Sequence, residues 1–331
     1  MANVAIRCNA SLSMGMGHVI RQRNLGKILR ERGMEISYFV CDFQPAIKIL
    51  KKENFSIHTV APDAVLPRES RKFDLAILDI RDTNRDLIES LRPRCKRIAS
   101  FEDLGEGRNH VDVLIDCNLE PEQSREIPAR IRTLFGLDHS VIHPDFARVH
   151  QQQRQFPETW NHGLITLGGS DPNQWTLRLA QTVLKKKKHH LITALIGPAF
   201  ENTGPLEKLA VESSSVILLR DVSSMANALA AHDIVFCAGG ITLHEALAAG
   251  TPAFVVSQIP HQEAKARALE TKGAAVNLGL AENFEEKKLE GVFDLGVEKL
   301  EAMSRAGKNL IDGKGVHRVA EELIQQCLST G

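Results

Sequence analysis

Aromatic residues are scarce in this chain of 331, with 13 Phe, 2 Trp and a single Tyr, Tyr38. So few rings argue against a surface that stacks long polysaccharides. Neither sign of charge is in excess, because Lys plus Arg and Asp plus Glu each number 41. A neutral chain lacks the electrostatic footprint of a nucleic-acid or anionic-lipid binder. Its apolar runs stop well short of the ~20 residues a membrane span requires. The first residues pass straight into a strand-like run, without the long apolar stretch of a signal peptide. Six cysteines, Cys8, Cys41, Cys95, Cys117, Cys237 and Cys327, are scattered with no C-x-x-C pair and no zinc spacing. The expectation is a cytoplasmic protein with reduced thiols, no membrane span, no nucleic-acid partner, no cofactor and no metal.

What the sequence does have is rhythm. Short apolar runs at residues 4–8, 36–41, 75–79, 97–101 and 111–116 alternate with stretches of helical spacing at 18–32 and 45–52. Gly33 is placed to cap the first helix. The rhythm stalls between 120 and 161, where Pro121, Pro128, Pro144 and Pro157 surround the polar patch Gln151-Gln152-Gln153-Arg154-Gln155. It restarts with strands predicted at 163–167, 191–196, 216–219, 234–237, 253–256 and 275–278 and helices between them. Alternation of this kind predicts an α/β protein of two Rossmann-like domains with parallel sheets, residues 1–155 and 156–331. The tail, 284–327, reads as helical and able to pack back on the first domain. The run Lys185-Lys186-Lys187-Lys188-His189-His190 reads as a solvated helix C-terminus, with a phosphate or partner patch as the alternative.

Four glycine junctions fall where strands end and helices begin. The first is Ser13-Met14-Gly15-Met16-Gly17-His18. Glycines permit a tight turn and close backbone approach, and a helix N-terminus favours an anion. The third glycine of a dinucleotide fingerprint is missing, and no nucleotide-triphosphatase P-loop is present. His18 stands at the mouth of the first domain as a base, a phosphate ligand or a structural histidine. The second junction, Gly168-Gly169-Ser170-Asp171-Pro172, offers Asp171 as a helix cap with Pro172 at the first helical position. The third is Gly197-Pro198-Ala199-Phe200. The fourth, Ala238-Gly239-Gly240-Ile241-Thr242-Leu243-His244-Glu245, turns the chain into a helix whose amides can receive diphosphate oxygens. Glu245 then accepts ribose hydroxyls or forms a capping box with Thr242. His261-Gln262 opens the next helix on the same rim.

In this order the four junctions resemble the nucleotide-sugar hydrolase family of pseudaminic acid biosynthesis and its spore-coat polysaccharide relatives. These belong to the GT-B group that includes the peptidoglycan N-acetylglucosaminyltransferase. The resemblance rests on Ile6-Arg7-Cys8-Asn9-Ala10-Ser11 leading to Gly15-x-Gly17-His18-x-x-Arg21, and on the glycine loops at 168–172, 197–200 and 239–245. It covers residues from about 4 to 280.

The resemblance implies a GT-B protein with a cleft between its domains and a small-molecule UDP-sugar held mainly by the second. It implies release of UDP from an amino-deoxy sugar, with water attacking the anomeric carbon and His18 as the base. Gly168, Gly169, Ser170, Gly197, Gly239, Gly240 and Thr242 would hold the nucleotide diphosphate, and Glu245 the ribose. Gly15, Gly17, Asn9, Arg21, Asp79, Arg81, His261 and Gln262 would line the sugar side. Loop amides would stabilise the leaving diphosphate without a metal.

Three positions depart from the family pattern. Asn9 replaces a common acidic residue, Asp79-Ile80-Arg81-Asp82 lacks the tyrosine of D-x-Y, and His261-Gln262 stands in place of Asn-Gln. The nucleotide end is thus kept and the reacting end altered. Transfer to another hydroxyl, and nucleotide-sugar binding without turnover, are the alternatives to hydrolysis.

Overall fold

The computed structural model describes residues 2–67, 72–118, 127–171, 173–187, 190–220, 222–284 and 286–328. Pro121, Pro172, Lys188, His189 and Asp221 lie outside the described residues. The chain forms two compact units: residues 1–141 with 314–331, and residues 142–313.

Unit one contains seven strands: β1 (Asn3–Cys8), β2 (Glu35–Val40), β3 (Ser56–Thr59), β4 (Phe73–Asp79), β5 (Cys95–Phe101), β6 (Val113–Asp116) and β7 (Arg132–Phe135). Its helices are α1 (Gly17–Glu31), α2 (Gln44–Lys52) and α3 (Arg85–Leu91). All strand pairs are parallel, in the order β3-β2-β1-β4-β5-β6-β7. Residue alternation divides the core between the two sheet faces. Val4, Ile6, Leu75 and Ile77 enter one buried cluster, while Ala5, Ala76 and Leu78 enter another.

Unit two follows the same plan. Its helices are α4 (Asp145–His150), α5 (Trp175–Lys186), α6 (Gly204–Glu212), α7 (Met225–Ala230), α8 (Ile241–Ala249), α9 (Pro260–Thr271), α10 (Glu286–Phe293) and α11 (Val297–Leu310). Its strands are β8 (His162–Thr166), β9 (Leu191–Leu195), β10 (Val216–Leu219), β11 (Ile234–Cys237), β12 (Ala253–Ser257) and β13 (Ala275–Leu280). They run parallel in the order β10-β9-β8-β11-β12-β13. Every residue of α8 from Thr242 to Ala249 is buried, including the polar Thr242, His244 and Glu245. The last helix, α12 (Gly315–Leu328), returns to unit one, where Val316, Val319, Ala320 and Leu323 join the β1 core cluster.

The boundary expected near residue 155 lies inside unit two. The part of the polar segment from residue 142 onward is not a free linker, because side chains in it are committed to that unit. Arg154 donates to the Leu229 and Ala230 carbonyls and to Thr251. Phe146, Val149 and Trp160 are fully buried. The basic run begins in the last turn of α5, where Lys186 lies 2.7 Å from Glu290 of α10 and Lys187, just past the helix, lies 3.7 Å from Asp294.

Tyr38 is buried in β2, and its hydroxyl donates to the Gln22 carbonyl at 2.7 Å. A Cβ at Gly26 would lie 2.1 Å from that hydroxyl oxygen. Glycine inside α1 therefore reflects close approach of a strand side chain, although it costs helix propensity.

Candidate functional site

In both sheets the strand order reverses between the first strand and the fourth, which is where ligands bind open α/β sheets at the strands' carboxyl ends. In unit one the reversal lies between β1 and β4. The β1–α1 loop closes through the Gly15 amide on the Ser11 carbonyl, 2.8 Å, with Gly15 at φ +75°. It delivers His18 to the second position of α1. β4 ends at Asp79.

These two residues meet. His18 Nδ1 is 2.6 Å from Asp79 Oδ1. Asp79 also accepts from Arg21 Nε at 2.9 Å, Arg21 Nη2 at 2.7 Å and Gln22 Nε2 at 2.8 Å. Arg21 Nη1 reaches Glu102 Oε1, at the end of β5, at 2.7 Å, and its guanidinium lies 5.2 Å from the Phe101 ring centroid. Burial alone would push the Asp79 carboxyl up, but Arg21 and His18 outweigh it and hold the group at about 2. A permanent carboxylate on Nδ1 fixes that nitrogen as the donor and leaves Nε2 with the lone pair of a general base. The His18 side chain is 18% exposed, and Asp79 is 0% exposed.

Asp79 and Arg21, expected on the sugar side, lie beside His18 at the end of β4 and in the first turns of α1. Asp79 has no surface to offer, and Arg21 is spent on two carboxylates. Asp79 holds the His18 ring, and Arg21 holds Asp79. Asn9 is half-buried beyond β1, with its Oδ1 accepting from Arg7 Nη1 and from Cys41 Sγ. Those two donors on the oxygen leave the Asn9 amide group as the one presented. Arg81 is half-buried in the turn after β4. That turn is clamped to the turn after β5 by buried Asp103, which accepts from the Thr83 amide and hydroxyl, Ser100 and the Gly105 amide. Glu102 and Gln22 were missed by sequence reasoning. The available signal for Glu102 was its place at a strand's carboxyl end beside the reversal; Gln22 carried none.

In unit two the reversal lies between β8 and β11, so the second and fourth glycine junctions flank it. Gly168 takes φ +106°, which favours glycine, and continues into Gly169 and half-buried Ser170. A Cβ at Gly197 would sit 2.5 Å from both the Gly168 and the Gly169 carbonyl oxygens. Gly197 is therefore glycine because two loops touch. Asp171 caps α5 from upstream, accepting from the Trp175 amide at 2.9 Å and the Thr176 amide at 2.6 Å. The α5 amino end thus already holds its anion.

The α8 amino end differs. Its N-cap is Gly240, with no side-chain cap and no acidic residue in the first turn. The capping box of Thr242 with Glu245 does not form, since Thr242 lies inside the helix rather than at its N-cap. Thr242 and Glu245 are buried one turn apart. Burial first, and then Glu245, push the neighbouring Cys237 thiol well up. Gly239 packs where a Cβ would lie 2.6 Å from the Gln262 carbonyl oxygen. Gln262 is half-buried and its Oε1 accepts from the Gln258 amide at 2.9 Å, while His261 is half-buried beside it. Among the described residues no group of three or more His, Cys, Asp or Glu side chains could hold a metal ion, and no helix is long and apolar enough to cross a membrane.

Residues 164–323 match the glycosyltransferase family 28 C-terminal domain. Over its whole length the chain resembles solved Acinetobacter baumannii MurG, with TM-score 0.66 and 15% identity, covering 98% of this chain and 100% of that one. The chain has the GT-B fold, two Rossmann-like units with parallel sheets. The spore coat polysaccharide biosynthesis protein SpsG of Bacillus subtilis (strain 168) is 26% identical over 345 residues, covering 98% of this chain and 99% of that protein. The UDP-N-acetylglucosamine--N-acetylmuramyl-(pentapeptide) pyrophosphoryl-undecaprenol N-acetylglucosamine transferase of Acetivibrio thermocellus (strain ATCC 27405) is 35% identical over 121 residues, covering 34% of this chain and 33% of that one. Both GT-B sheets, seven and six strands, place a glycine-bearing helix start at the strand-order reversal.

Proposed function

We propose that this GT-B protein transfers a glycosyl group from a UDP-sugar to an acceptor hydroxyl, with His18 Nε2 taking the proton of the attacking oxygen. The observation that carries the reading is the buried Asp79 carboxylate on His18 Nδ1, which sets the tautomer a base needs. In unit two the uncapped start of α8, from Gly240 to Thr242, would receive the diphosphate and stabilise it as it leaves. Gly168, Gly169 and Ser170 would add backbone contacts, Glu245 would accept the ribose hydroxyls, and His261 and Gln262 would meet the sugar. In unit one Asn9, through its amide, and Arg81 would face the acceptor or sugar. The similarity of residues 164–323 to a glycosyltransferase domain supports transfer.

Hydrolysis uses the same base and leaving group, with water as the attacking oxygen, and is the reading that the resemblance of the four glycine junctions favours. A panel of UDP- and CMP-sugars, with and without hydroxyl acceptors, separates the two when nucleotide release is followed. Release only with an acceptor is the expected result. Release in water alone replaces transfer by hydrolysis. Tight UDP binding with no release from any donor overturns both and leaves a nucleotide-sugar-binding protein.

A further inference from the structure

The His18 base is surrounded by more charge than one carboxylate. Arg21 grips both oxygens of Asp79, so those two charges cancel within one buried pair. Glu102 then adds a second carboxylate, 2.7 Å from Arg21 Nη1 and largely buried. With His18 neutral, the four residues hold one positive and two negative charges. With His18 protonated, they balance.

The other ionisable groups of the neighbouring elements are Arg7 and Cys8 of β1, Arg81 and Asp82 of the turn after β4, Asp103 of the turn after β5, and Asp116 and Cys117 at the end of β6. Cys8 of β1 is pushed far up by burial and stays a thiol. Cys117, beyond β6, donates its hydrogen to the His139 carbonyl. Gln22 is neutral. Arg7 of β1 is turned to the Ala64 and Pro62 carbonyls. The turn after β4 supplies one further cation, Arg81, half-buried. Glu102 also adopts φ +44°, a left-handed conformation that side chains with a Cβ rarely take and that concentrates at functional sites.

We propose that Glu102 is the charge-balancing residue of the His18 base: its carboxylate, acting through Arg21, supplies the net negative charge that lets the imidazole accept a proton. Asp79 fixes the tautomer, but Arg21 has neutralised it; Glu102 restores what Arg21 removes. Glu102 is a positioning residue and touches no reacting atom. The inference rests on the reading of His18 as a base, but its test needs no substrate, so failure of either is distinguishable.

The test is an NMR titration of the full chain carrying 13C-labelled histidine, with the His18 signal assigned by its disappearance in His18→Asn. In Glu102→Gln the His18 midpoint moves lower by about half to one pH unit, the scale expected for loss of a nearby opposite charge. Arg21→Gln moves it higher, and Glu102→Asp keeps it near the wild-type position. An unchanged midpoint in Glu102→Gln, or shifts of the same sign in both variants, overturns the proposal. If Glu102→Gln does not fold, Glu102→Ala takes its place, with the same downward shift expected and an unchanged midpoint overturning the proposal.

Discussion

Asp79 Oδ1 lies 2.6 Å from His18 Nδ1, and no part of Asp79 reaches solvent. A carboxylate buried this way can act on a ligand only through the ring it holds. Replacing His18 with Asn removes the base and lowers turnover of a UDP-sugar by roughly 10²–10⁴-fold. UDP affinity stays within a few-fold, because the proposed nucleotide contacts lie in unit two. Asp79→Asn gives a similar loss by freeing the tautomer. Steady-state turnover beside UDP titration calorimetry checks both; equal losses of turnover and UDP affinity contradict the assignment.

The same carboxylate makes unit one acid-sensitive. Its folded value, about 2, lies below the ordinary value of about 3.9, so its stabilising effect is complete above about 3.9 and is lost as pH falls through about 2. Two pH units correspond to about 2–3 kcal/mol. Denaturant unfolding between pH 5 and 2 shows a steeper acid loss for wild type than for Asp79→Asn. Parallel curves contradict the prediction.

In unit two, the rings of His162 and His232 pack at a tilt of 57° with centroids 4.2 Å apart. His232 Nδ1 donates to the Ala228 carbonyl, and its Nε2 is buried without a partner. Burial lowers both histidines below the ordinary value near 6.5, so the unfolded chain takes up protons first as pH falls. Their contribution is intact above about 6.5 and is lost below it, by at most about 1.4 kcal/mol per pH unit for each proton. Denaturant midpoints at pH 7.5 and 5.5 converge in His232→Asn, whose amide can still donate to Ala228.

How far the fold is legible follows from burial. β1, β4, β11 and β12 have long buried apolar runs, and their pattern is plain in the sequence. β3 is an edge strand with mostly exposed side chains, and edge strand β7 buries one residue in four, so neither carries that signature. The segment around Arg154 looks like a linker because its lone cation and glutamines are polar, yet that cation anchors on helix α7 carbonyls. His18 is legible from its glycine loop. The roles of Asp79, Glu102 and Gln22 are not, because they depend on side-chain direction across separations of 57 to 81 residues.

The contact between Gly26 and Tyr38 gives a stability prediction of opposite sign to helix propensity. Alanine inside a helix is ordinarily favoured over glycine by roughly 1 kcal/mol. At Gly26 its Cβ would meet the Tyr38 hydroxyl oxygen at 2.1 Å, so Gly26→Ala destabilises by about 1–3 kcal/mol. Tyr38→Phe removes the clashing oxygen and recovers part of the loss in the double variant. Thermal unfolding of the four proteins of this cycle measures it, and additivity of the two changes contradicts the contact.

Helix α8 separates nucleotide binding from folding. Glu245 is buried inside the helix and Gly240 is its N-cap, so removal of Glu245 does not undo a cap. If its carboxylate accepts ribose hydroxyls, Glu245→Gln weakens UDP binding by roughly 1–3 kcal/mol, while UMP and inorganic diphosphate report different parts of the loss. UMP, which keeps the ribose, loses affinity by a similar factor; diphosphate, which lacks it, binds as before. Gly240→Asp gives the reverse pattern, because a carboxylate at the start of α8 occupies the amides that a diphosphate needs, much as Asp171 occupies those of α5. Calorimetry of the two variants with UDP, UMP and diphosphate distinguishes the roles. A Glu245→Gln protein that binds all three ligands normally but unfolds at lower temperature returns Glu245 to a purely structural role.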